Sequence, residues 1–174
     1  MVWPGQNNWG QDLMDRIPTI AAVIVALTAM PAAAGAQTID RSLRGVTSMD
    51  LLIEQLDSDS AACGISEEAL TRSVTRGTQG AGFTLDGYDY TLYVRVNTLP
   101  RNGDCFSSVD IETYYYGAVV MPNFPKGNNA EIVLWENSTI VVSPQGQHGG
   151  DVNEIVRGFT RTLAADWIKD NSGS

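Results

Sequence analysis

The chain has 174 residues and a formal net charge of −9. That length suits one domain rather than two, and the negative charge is repelled by phosphate backbones and anionic lipid surfaces, so no nucleic-acid partner is expected. Two cysteines and one histidine are too few for a ready metal site, and no cofactor motif is present.

Ile17 to Ala36 is an apolar run closing on Met30-Pro-Ala-Ala-Ala-Gly-Ala36-Gln37, with small residues where a signal peptidase reads. Residues 1–36 are expected to be a signal peptide cleaved after Ala36. Met1 to Leu13 carries Asp12 and no cation, whereas Met14-Asp-Arg-Ile-Pro holds Arg16, so Met14 is an equally good start. No cysteine follows the cleavage site to take a lipid, and no later stretch is apolar enough to span a bilayer. The expected product is periplasmic or secreted, with no membrane insertion after cleavage. In an oxidising space an even cysteine count favours a Cys63–Cys105 disulfide. The chain-entropy treatment values that cross-link at roughly 4 kcal/mol.

Residues 37–45 form a polar lead-in. Val46 to Leu56 alternates Met49, Leu51 and Ile53 against Asp50, Leu52 and Glu54, which predicts a first strand. Asp57 to Gly64 is rich in turn formers and reads as a loop. Its Asp57-x-Asp59 imitates a calcium loop, but Ala61 and Ala62 occupy positions that need a ligand and a glycine. Ser66 is placed to cap a helix, with Glu67 and Glu68 in its first turn and Leu70 and Val74 on its buried face. Gly77 to Gly82 ends that helix. These glycines follow a helix and precede a strand, the reverse of a dinucleotide fingerprint.

The strongest element is a hairpin. Tyr88, Tyr90, Leu92, Val94 and Val96 alternate with polar residues, then Val109, Ile111, Thr113 and Tyr115 do the same across Asn102-Gly103. Pro100 is expected to end the first arm. Met121 to Asn129 reads as a surface loop, and Ala130–Trp135 with Thr139–Val142 as a second hairpin turning at Glu136-Asn-Ser138. Gln145 to Gly150 reads as a flexible connection holding the lone His148. Asp151 then caps a last helix, with Glu154 completing a capping box. Val152, Ile155, Val156, Phe159, Leu163 and Trp167 mark its buried face. The domain is expected to span residues 46–170, with the chain fraying from Asp170 to Ser174.

These elements predict an α+β two-layer sandwich, a mixed sheet of four to five strands with two helices on one face. Strand parity places Tyr93, Arg95, Tyr114, Tyr116 and Trp135 on the other, open face, and an aromatic group there marks a candidate interaction surface. No catalytic residue can be assigned. Gly-x-Ser-x-Gly is absent, and bridged cysteines leave no free thiol.

The order Leu43-Arg-Gly, Cys63-Gly-Ile-Ser-Glu-Glu-Ala-Leu70, Gly80-Ala-Gly-Phe, Tyr90-Thr-Leu-Tyr-Val-Arg-Val and Cys105 resembles small exported bacterial proteins of unknown function. By topology alone the layout is similar to the amino-terminal domain of the translocation protein TolB and to periplasmic lipoprotein activators of cell-wall synthases. The resemblance implies a fold, a disulfide and a binding role toward an envelope protein, with no active site. A small hydrolase or ligand-binding protein is the alternative, and a homodimer across the aromatic face a third reading.

Overall fold

The β2–β3 hairpin forms as its alternation predicts. In the computed structural model, which describes residues 42–121 and 124–173, β2 (Tyr90–Arg101) runs antiparallel to β3 (Asp104–Met121) from Tyr90↔Tyr115 to Arg101↔Asp104. Asn102 and Gly103 both take positive φ, 55° and 88°, the pairing a two-residue turn with the strands' own twist requires. Pro100 does not end the strand. It pairs with Cys105, and β1 (Asp50–Ile53) stops opposite Val94, so no neighbour needs the missing N–H.

The described strands form one mixed sheet in the order β1-β2-β3-β4, with β1 parallel to β2 and β4 (Phe124–Pro144) antiparallel to β3. The expected turn at Glu136-Asn137-Ser138 is absent. These residues pair with Glu112, Ile111 and Asp110 in the middle of one long strand. β3 continues through that register, and local turn propensity yields to the ladder it offers. The expected loop from Met121 to Asn129 is likewise mostly strand, Phe124 onward lying in β4.

Three helices pack on one face of the sheet, giving the two-layer α+β sandwich. The stretch read as a loop holds a short helix, α1 (Ser58–Ala62), whose Asp57 Oδ1 accepts from Ser60 N at 2.8 Å. In α2 (Glu67–Gly77), Ser66 caps as expected and Leu70 and Val74 are buried. The final helix, α3 (Gln145–Asn171), begins seven residues earlier than the capping box suggests. Gly149 serves close packing rather than flexibility: a Cβ there would collide with Gly64 O.

Residues from every layer meet in one core around Leu70, Leu92, Val94, Ile111, Val152 and Leu163. The end of α3 is tied down instead of fraying from Asp170. Asp170 Oδ2 accepts from Leu43 N at 3.0 Å, and Trp167 Nε1 donates to Val46 O at 2.6 Å. Leu43 and Val46, at the end of the lead-in, are buried beneath that clamp. The expected signal peptide lies outside the described residues.

Candidate functional site

Among the described residues no helix covers the second face of the sheet. Even-numbered positions of β1 and β3 and odd-numbered positions of β2 project there, and cross-strand register sorts them into rows. Leu52, Tyr93, Glu112 and Glu136 form one row; Arg95, Asp110 and Ser138 form the next. Further along lie Leu99, Phe106 and Val142, with Ile140 one row nearer the centre. Ile140 is 74% exposed and Tyr116 64% exposed, far from what a core would tolerate.

The face is acidic at its centre and apolar at its ends. Arg95 Nε stands 3.5 Å from Asp110 Oδ2, and its Nη2 3.9 Å from Glu112 Oε1, all three groups partly solvated. Such loose, wet pairs hold little energy, under about 1 kcal/mol each. They leave one cation among Asp110, Glu112, Glu54 and Glu136. Tyr93 and Tyr114 stack edge to face at 6.4 Å. Partial burial, together with the Glu54 carboxylate, pushes the Tyr93 phenol above its ordinary 10.0.

Tyr93, Arg95, Tyr114 and Tyr116 therefore share the open face, but Trp135 does not. A bulge between Thr113↔Trp135 and Tyr114↔Val133 leaves Leu134 as an extra residue in β4. The bulge reverses parity, so Trp135 turns inward, is only 3% exposed, and donates from Nε1 to Asp166 Oδ2 of α3 at 2.9 Å. Pure alternation cannot register such an insertion. Beyond Tyr115 the β3–β4 ribbon continues without β2, carrying exposed Tyr116 and Val120 past the edge of the sandwich.

Polar chemistry on the covered face is of another kind. Ser60 Oγ donates to Thr98 Oγ1 at 3.1 Å, Thr98 Oγ1 lies 2.8 Å from Ser107 Oγ, and Ser107 Oγ lies 2.7 Å from His148 Nε2. His148 Nδ1 reaches Ser143 Oγ at 2.9 Å. One direction of donation uses every proton: each hydroxyl gives to the next, Nε2 accepts from Ser107, and Nδ1–H donates to Ser143. That arrangement needs a neutral ring, and burial holds the imidazole below its ordinary 6.5. A serine hydroxyl against an imidazole resembles the start of a nucleophile relay. Here the far nitrogen meets another hydroxyl, not a carboxylate, and His148 and Ser107 are buried where no substrate carbonyl can reach. The chain is a cross-brace joining α1, β2, β3, β4 and α3.

Beside that brace, Cys63 and Cys105 are joined in a disulfide, tying the end of α1 to β3. A cross-link of this kind points to an oxidising space. No group of three or more His, Cys, Asp or Glu among the described residues is placed to hold a metal, and no helix there is long and apolar enough to cross a membrane. The sequence matches no protein-family model and no curated protein.

Proposed function

We propose that the protein is a non-catalytic accessory module of the cell envelope, exported by its N-terminal leader and acting in the periplasm. It would contact a protein partner through the open face of its sheet. The observation that carries this reading is the contrast of exposure along β3 and β4: Ile140, Val142 and Tyr116 stand in solvent around an acidic centre. Apolar ends flanking a charged middle are the layout of a surface that excludes water at its margins and selects by charge. The complementary partner would present a basic centre between apolar contacts. The disulfide supports the compartment, and the resemblance in topology to TolB-type envelope modules favours the same role.

The test compares the chain lacking residues 1–36 with a Tyr114→Ser, Ile140→Ser double variant. Both baits are incubated with envelope extract, and their melting and solution mass are recorded alongside. The proposal predicts a partner retained by the parent and lost by the variant, with melting unchanged. A drop in the parent's own mass on substitution would instead make the face a homodimer contact. Identical captured sets and identical masses would sink the reading.

A further inference from the structure

The helix layer holds a concentration of positive charge that nothing in the open-face reading uses. α2 presents Arg72, Ser73 and Arg76 along one stripe, and α3 presents Asn153, Glu154 and Arg157 opposite them, around a cleft of about 170 Å³. Three guanidinium groups thus meet one carboxylate in the lining of a chain whose formal charge is −9. The two helices approach closely just beyond the cleft, where a Cβ on Gly77 would collide with Thr160.

Two of the arginines are already steered from their own helices, Arg72 by Glu68 and Arg157 by Glu154. These pairs are largely exposed, so releasing them to a stronger anion costs little. Arg76 has no ion-pair partner among the described residues. Ser73 Oγ donates to Ala69 O at 2.9 Å and, at 3.4 Å, to Asn153 Oδ1, which leaves the Asn153 amide nitrogen as a neutral donor. A planar carboxylate is served by a single guanidinium fork. Donors converging from two helices suit a tetrahedral anion, whose oxygens point in several directions at once.

We propose that the α2–α3 cleft is a phosphate-binding site centred on Arg76, with Arg72, Arg157 and Asn153 as the surrounding donors. The phosphate is either free in solution or carried on a lipid headgroup, and the two sources are separable. Inorganic phosphate is titrated into the chain at low ionic strength and followed by calorimetry and phosphorus NMR. In parallel, the chain is sedimented with vesicles of phosphatidylcholine alone or with added phosphatidic acid. Saturable one-to-one binding of free phosphate, weakened roughly tenfold by Arg76→Gln, supports a soluble ligand. Binding only to the phosphatidic acid vesicles, lost in the same variant, supports a lipid one. Arg101→Gln, at the exposed hairpin turn, is expected to change neither. Absence of binding in both arms, or equal loss with Arg101→Gln and Arg76→Gln, overturns the site in favour of diffuse attraction. Arg76 is exposed, so its replacement leaves melting unchanged and the result is not confounded by unfolding.

Discussion

On the helix side, β3 presents Cys105, Ser107, Val109, Ile111 and Thr113, all buried; on the other side it presents Phe106, Ser108, Asp110, Glu112, Tyr114 and Tyr116. The two sets interleave along a single strand, yet their polar groups obey different rules. On the covered side Ser107 belongs to a hydrogen-bond chain closed at both ends, and Cys105 to a covalent link. On the open side Asp110 and Glu112 reach Arg95 only at 3.5 and 3.9 Å. Buried polar groups must be paired because water cannot serve them, whereas exposed ones need no fixed partner. Substitutions on the first face should therefore register in folding, and those on the second in contacts with other molecules.

The disulfide gives the largest expected effect. Replacing Cys63 and Cys105 together by Ala should lower the unfolding free energy by about 4 kcal/mol, measured by urea denaturation. A loss below about 1 kcal/mol would mean the denatured chain gains no freedom from the cut, and the covered face would owe its rigidity elsewhere. Next comes a matched pair of truncations. Leu92→Ala, in the core, should cost about 3 kcal/mol, while Ile140→Ala, 74% exposed on the opposite face, should stay within about 0.5 kcal/mol. Comparable losses would show that something packs over Ile140 in solution, and the contrast between faces would fail.

That contrast was readable in the residues wherever alternation was unbroken. Leu92, Val94 and Val96 against Tyr93 and Arg95 settle β2, and Asn102-Gly103 settles the turn, because each signal is local. Alternation puts Trp135 on the wrong face because a one-residue bulge leaves no mark in composition and shifts everything before it to the other parity. Asn137 and Ser138 looked like a turn because their propensity is a local property, and the ladder that overrides it comes from β3, twenty-odd residues away in the chain. The glycines at 146, 149 and 150 looked like a hinge for the same reason. Gly149 in fact accommodates the backbone at Gly64, a contact no window of sequence contains. In the sequence His148 stands out only as the lone histidine; its partners Ser107 and Ser143 come from two different strands.

The buried imidazole predicts a pH dependence confined to the covered face. His148 is held below its ordinary 6.5 chiefly by burial, opposed only in part by the nearby Asp151 carboxylate. The unfolded ring therefore takes a proton first as pH falls. Stability should be at its plateau above about pH 6.5 and should decline as pH drops from there through the folded-state value. Denaturation curves between pH 7.5 and 5 would show it, and His148→Gln should flatten that slope although it lowers the plateau. A variant with the parent's slope would assign the proton uptake to another group. Binding at the open face, which holds no histidine, should show no matching inflection.

Thr113 sharpens the comparison most finely, because it is the exception on its own side. Its hydroxyl is buried opposite Trp135 with no hydrogen-bond partner, where Ser107, three pairs along the same face, has two. If the covered face is stabilised by pairing rather than by polarity as such, this group costs energy and its removal should help. Thr113→Val keeps the shape, deletes the orphan oxygen, and should raise stability by up to about 1 kcal/mol. Thr113→Ser keeps the oxygen and deletes a methyl, and should lower stability by about 1 kcal/mol through the space it leaves. The two together separate the hydroxyl from the packing. A loss with Val would mean that the oxygen finds a partner in the folded protein, such as a trapped water, and that every polar atom on the covered side of the strand is engaged.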